Sequence, residues 1–265
     1  MDPRKMRKKP RGFTARYLGS AKNLVASERT GAADTQLGMA LTFVAGAINA
    51  GGFLAVGQYT SHMSGVFSTM ADNLALGTFN VVLLGLSAFV PFVVGAGCSA
   101  ILINWGRRHH LGGQFALPLM LEAALLFGFG LLGWIAYPSV GFSLIAVPLL
   151  CLIMGLQNAT VTKISGARMR TTHVTGIVTD IGIELGKFVY WNRDKAGPDV
   201  RADRAKLRLL SLLLSSFFIG GVIGAIGFSQ LGFLFSLPFA ALLLLLAGPP
   251  IAADVLAHGR RVGEG

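Results

Sequence analysis

Two histidines stand in nearly the same polar setting: Thr60-Ser61-His62-Met63-Ser64-Gly65 and Thr171-Thr172-His173-Val174-Thr175-Gly176. An imidazole exchanges protons near neutral pH and can donate to an anion. Neighbouring hydroxyls add donors, and glycine lets a ligand or another helix come close to the backbone. Hydroxyl residues also suit the N-cap of a helix, whose unpaired N–H groups and dipole favour negative charge. Thr60, Ser61, His62, Ser64, Gly65, Thr171, Thr172, His173, Thr175 and Gly176 are therefore candidate solute ligands. The same residue types also mediate tight helix packing and interhelical hydrogen bonds. Repetition of the phrase together with its histidine favours the binding reading.

The phrase is the centre of a longer repeat. Gly46-Ala47-Ile48-Asn49-Ala50 resembles Gly155-Leu156-Gln157-Asn158-Ala159, and the run from Thr60 to Gly77 aligns with the run from Thr171 to Lys187. Asn49 and Asn158 thus take equivalent places. An amide in an apolar chain needs partners, so each should either bind a ligand or tie a broken helix. Three acids are candidates for proton or ion coupling: Glu122, isolated in an apolar stretch, and Asp180 with Glu184, four apart on one helical face. Glu184 with Lys187 also reads as ordinary helix support. Gly182xxxGly186 and Gly220xxxGly224 read as packing faces.

The elements that must position these groups are membrane spans. The chain is 53% hydrophobic and only 13% charged, against about 25% charged in soluble domains, and its mean hydropathy is +0.62. Six stretches have the length and character of spanning helices: Leu37–Gly57, Val81–Ile103, Phe115–Ala136, Val140–Asn158, Leu209–Phe228 and Gly232–Ala253. Only Phe115–Ala136 contains an ionisable acid or base, Glu122. The phrase-bearing segments, Met63–Thr78 and His173–Tyr190, are roughly 24–27 Å long as helices, marginal for a crossing, and suit re-entrant or broken helices.

The net charge of +11 does not imply nucleic acid, because every Lys and Arg lies outside the six stretches. Nine fall in the tail from Arg4 to Arg29, two at Arg107 and Arg108, ten from Lys163 to Arg208 and two at Arg260 and Arg261. Cytoplasmic loops attract Lys and Arg. If both termini are cytoplasmic and neither phrase segment crosses, all four clusters share one side. Each half then makes three crossings, so the second half is inverted relative to the first, as in many secondary transporters. The expected fold is an all-α polytopic bundle of six spans in two inverted repeats, residues 35–136 and 137–256. A disordered basic cytoplasmic tail, 1–34, precedes them and a cytoplasmic tail, 257–265, follows.

The segment 155–187 resembles the signature of the YoaK-like family of bacterial multi-pass membrane proteins, a domain of unknown function. The matches are Gly155-Leu156-Gln157-Asn158-Ala159, the run from Thr171 to Gly176, and Leu185-Gly186. In the first half Gly46 to Ala50 and Ser61 to Gly65 match, with Asn49 where the family usually carries Asp and Val66 where it carries Asn. The resemblance covers nearly all of residues 37–253 and implies an integral protein of the bacterial inner membrane.

The leading expectation is a transporter or channel for a small polar or anionic solute, with a midplane site between the two phrases. Its partners would be membrane lipids and that solute, with no nucleic acid; a homo-oligomer is compatible with the sequence. The alternative is a non-transporting protein that organises or regulates partners, in which the phrases only pack. An intramembrane enzyme is the least favoured, because no nucleophile motif or metal cluster accompanies His173, Asp180 and Glu184. Walker A, HExxH and GxSxG patterns are missing from the sequence, so no catalytic residue, metal or cofactor is expected.

Overall fold

Long apolar runs punctuated by glycine fold here as helices. The computed structural model describes residues 31–139, 141–166, 169, 171–191 and 199–263. In chain order the helices are α1 (Gly31–Val56), α2 (Met63–Ala75), α3 (Phe79–Arg108), α4 (Ala116–Ala136), α5 (Phe142–Ile164), α6 (Val174–Val189), α7 (Arg204–Leu231), a 3-10 turn (Gly232–Ser236) and α8 (Leu237–Gly263). The expected disordered tail lies, up to residue 30, outside the described residues. Helix α8 continues through most of the segment read as a C-terminal tail.

Five stretches are long and apolar enough to cross a membrane: Thr35–Leu54, Phe79–Arg108, Ala116–Ala136, Phe142–Ile164 and Arg204–Leu256. The last holds α7, the 3-10 turn and α8. Several helices outrun the apolar stretch predicted for them. Helix α3 extends to Arg107 and Arg108, α5 to Lys163, and α7 begins at Arg204. Long basic side chains keep their charge in water while their stems cover apolar surface, so the helix need not stop where apolar residues end.

Helix α1 packs mainly on α7, α3 on α5, and α4 on α8, with α5 also against α1 and α4. The short helices lie on their successors, α2 on α3 and α6 on α7. The buried core runs through α1, α4 and α5, with Leu41, Ile48, Leu119, Leu126, Leu150, Ile153 and Met154 all fully enclosed. The outer faces of α3 and α7 are apolar and exposed: Leu83, Leu84, Val93, Ile101, Phe218 and Ile219. In water such a surface would drive association; in lipid it is the solvated face. Trp105, Trp134 and Trp191 are likewise exposed.

Two crossings hold the bundle's centre, and they match. A Cβ added at Gly46 of α1 would run into the Phe217 carbonyl oxygen of α7, and one at Gly155 of α5 into the Phe92 carbonyl oxygen of α3. Reciprocally, Gly220 of α7 faces the Phe43 carbonyl and Gly95 of α3 faces the Leu152 carbonyl. Backbones this close require the missing Cβ. Gly224 continues the same seam against Ala47, as a packing face should. Gly182 and Gly186 do not: nothing lies within 4 Å of a Cβ at either position. Their spacing alone suggests packing, but among the described residues no helix lies against the α6 face that carries them.

Candidate functional site

At equivalent points the chain leaves α1 and α5 through glycines in left-handed conformation, Gly57 (φ 73°) and Gly166 (φ 58°). That conformation is cheap for glycine and costly for other residues. The turns bring each polar phrase back against the helix it has just left. The phrases then start α2 and α6, though not through hydroxyl caps. The N-cap residues are the histidines, His62 and His173, and neither makes a side-chain capping bond. The first turns are anchored instead by backbone bonds, Val66 N–H to His62 C=O and Ile177 N–H to His173 C=O, each 3.1 Å.

The hydroxyls serve the asparagines. Ser61 Oγ donates to Asn49 Oδ1 at 2.9 Å. In the second half Asn158 Nδ2 donates to Thr172 Oγ1 (2.8 Å) and to the Met154 carbonyl (2.8 Å). Its Oδ1 accepts from Thr171 Oγ1 (3.1 Å) and the Thr172 N–H (3.3 Å). Asn158 is therefore saturated by protein. Asn49 is only 8% exposed, yet its Nδ2 has no hydrogen-bond partner among the described residues. Thr171 is buried and bonded to Asn158, while its counterpart Thr60 is buried with no partner for its hydroxyl.

Gly65 and Gly176 were expected to admit a ligand or a neighbouring helix. The group over each is the histidine of its own phrase: a Cβ at Gly65 would meet the His62 ring, and one at Gly176 the His173 ring. The missing Cβ gives each imidazole a flat place to lie. Neither ring has a hydrogen-bond partner among the described residues.

Between the phrases lies a cavity of about 850 Å³. Six equivalent pairs line it: Asn49 and Asn158, Ser61 and Thr172, His62 and His173, Met63 and Val174, Ser64 and Thr175, Phe92 and Phe217. The phenylalanines escaped notice in the sequence, although Phe92-x-x-Gly95 and Phe217-x-x-Gly220 repeat there. They are the residues whose carbonyls meet Gly155 and Gly46. The cavity is not symmetric, however. Helix α5 also contributes Gly155, Ala159, Thr162 and Lys163, whereas α1 contributes Asn49 alone. Gly65, Gly176, Thr60 and Thr171 sit behind the wall and are not part of it.

The three acids lie off this cavity. Glu122 of α4 is fully buried, and neither carboxyl oxygen has a hydrogen-bond partner. The Gln157 side chain lies beside it, but the Gln157 amide donates to the Leu41 carbonyl of α1 at 3.1 Å. Asp180 and Glu184 join α6 to the start of α7. Glu184 Oε1 pairs with Lys187 Nζ (2.9 Å), and its Oε2 accepts the Asp203 N–H (2.8 Å). Lys206 Nζ lies 3.4 Å from Asp180 Oδ2 and 3.9 Å from Glu184 Oε1. Asp203 in turn caps α7 by accepting the Lys206 N–H at 2.9 Å. The Asp203 N–H, and after it the Lys187 ammonium, hold the Glu184 carboxyl below the usual carboxylate range.

No curated protein and no solved structure matches the chain. A family model does, that of a protein of unknown function (DUF1275), over residues 37–248. Those residues include both phrases, both asparagines, both glycine crossings and the cavity between them. The chain, an apolar helical membrane protein, belongs to this family.

Proposed function

We propose that the protein carries a small polar or anionic solute across the membrane, through a site between the two polar phrases. The cavity supports this reading: about 850 Å³ of space, walled by matching polar residues from both halves. Phrases that served only packing would be expected to fill that space.

In this reading α7 and α8 are separate crossings joined by the 3-10 turn, giving six in all, while α2 and α6 enter without crossing. Equivalent helices α1 and α5 then run in opposite directions, and the repeat is inverted. An inverted repeat around a central site supplies two related states, open to opposite sides. Both termini and all four basic clusters face the cytoplasm of the bacterial inner membrane. Glu122 is the candidate for proton coupling. It is buried, with no cation paired to it among the described residues, beside Gln157, whose sequence neighbour Asn158 lines the cavity. Asp180 and Glu184 act in this reading as a latch between α6 and α7.

Purified protein in liposomes tests the reading with labelled glycerol, urea and small organic anions. Flux of at least one is expected, abolished by the cavity-filling change Ala159→Phe in folded protein. Absence of flux across the panel, with no binding that depends on His62 or His173, would sink it. Glu122→Gln should keep flux down a solute gradient and lose any acceleration by a proton gradient. Cysteines at Ser139 and Gln230 should label from outside, and at His109 from inside; the reverse pattern removes the topology.

A further inference from the structure

We infer that the solute is a small organic anion, its charge taken by Lys163 and the unpaired amide of Asn49 and its apolar body lying against Phe92 and Phe217. The inference rests on the transport reading and narrows its substrate. Among the described residues lining the cavity, Lys163 is the only one with a permanently charged side chain, and no Asp or Glu joins it. Lys163 pairs with no acid among the described residues. Its equivalent in the first half is Leu54, so the cation is not part of what the repeat needs to fold.

The amides point the same way. Asn158 has every polar atom engaged by protein, and Asn49 Oδ1 is taken by Ser61. What remains in the wall is Asn49 Nδ2, a donor on a residue more than nine-tenths buried. A donor on a cavity-lining residue that is not used by the described residues is available to a guest that accepts from it. The one permanent charge in the wall is a cation and the free amide group is a donor, while the imidazoles and hydroxyls beside them can donate or accept; together they suit an acceptor-rich, negatively charged guest. The first turns of α2 and α6 carry no acid to oppose it. Inorganic oxyanions would leave the phenylalanine walls uncovered, so an anion with an apolar body fits better.

Benzenesulfonate and benzenesulfonamide have nearly the same shape and differ in charge, and the sulfonate stays ionised, so it does not leak across lipid as a neutral acid. In proteoliposomes, saturable flux of labelled benzenesulfonate is expected. Lys163→Gln should lower it about tenfold at sub-saturating concentration, the scale of one charge-assisted contact. Lys163→Arg should retain it, and Asn49→Leu should weaken it while leaving the folded protein intact. Unlabelled benzenesulfonamide should not compete. Equal competition by the sulfonamide, or flux indifferent to Lys163→Gln, overturns the inference. Sulfate competing as well as benzenesulfonate would overturn its organic part. Flux of glycerol or urea with none of the sulfonate leaves transport standing and removes the anion. No flux of any of these removes both.

Discussion

The two halves of the molecule use one plan for different ends. In the second half Asn158 is spent on structure: it fastens Thr171 and Thr172 to α5 through three hydrogen bonds and makes a fourth to the Met154 carbonyl of its own helix. In the first half Asn49 makes one side-chain bond among the described residues, from Ser61, and lines the cavity with its amide donor unused by them. The latches at the far ends of the short helices diverge in the same manner. Asn73 accepts from Thr78 Oγ1 at 2.6 Å, and Thr78 is the N-cap of α3. Its counterpart Glu184 accepts from the N–H of Asp203, the N-cap of α7, and adds Lys187 and Lys206. The half rich in Lys and Arg has charged, saturated joints, and the other has neutral and partly unsatisfied ones. A duplicated scaffold can thus divide its labour, one copy holding geometry and the other keeping capacity for a ligand.

The largest effect should come from the feature the halves share. Gly46→Leu and Gly155→Leu each force a side chain into a neighbouring carbonyl and should abolish monodisperse protein on size exclusion in detergent, whereas Gly182→Leu, with open space beside it, should behave as wild type. Equal tolerance at all three sites would refute the crossing contacts.

Next are the asparagines. Asn158→Leu strips several partly buried bonds and should cost about 2 kcal/mol or more of stability, given about 0.6 kcal/mol per intramembrane hydrogen bond plus the penalty of groups left unpaired. Asn49→Leu should cost less, with its effect falling on solute binding. Thermal melts of the two variants check the order, and a reversed order would erase the division of labour.

The charged latch gives a smaller, pH-dependent effect. Glu184 titrates below the usual carboxylate range in the folded protein, so its contribution is complete above that range. It is lost as pH falls through the lowered folded value. Glu184→Gln should lower the melting temperature modestly at neutral pH and flatten that acid limb, so that variant and wild type converge at low pH; Asn73→Asp should not create a limb of the same size, lacking the cations. Smallest of all, Gly176→Ala should displace the His173 ring with the fold retained, seen as a changed imidazole resonance by NMR. An unmoved resonance would mean the ring does not rest on Gly176.

Much of this was legible in the sequence, because apolar length and charge placement are strong signals. Phe115–Ala136 was placed within a residue, and the short segments began where α2 and α6 begin. Helix ends were less so: charge marks where the apolar core stops, and the backbone runs on through Lys163 and Arg204. At the site, the pairing of Asn49 and Asn158 with the phrases was one of two readings the sequence left open. Two kinds of feature were hidden. The phenylalanine walls share their residue type with exposed apolar positions such as Phe67, Phe127 and Phe218. The inequality of the asparagines depends on hydrogen-bond geometry, which two nearly identical phrases cannot reveal.

The crossings have a consequence for how such a chain comes to exist. Helix α1 is partnered by α7 and α3 by α5, so the principal contacts run between the halves and not within them. Neither repeat is a domain. Each is closer to one strand of a two-stranded braid, with its main packing surfaces completed only by the other. During synthesis α1 must wait, with its glycine seam uncovered, until nearly all of the chain has emerged.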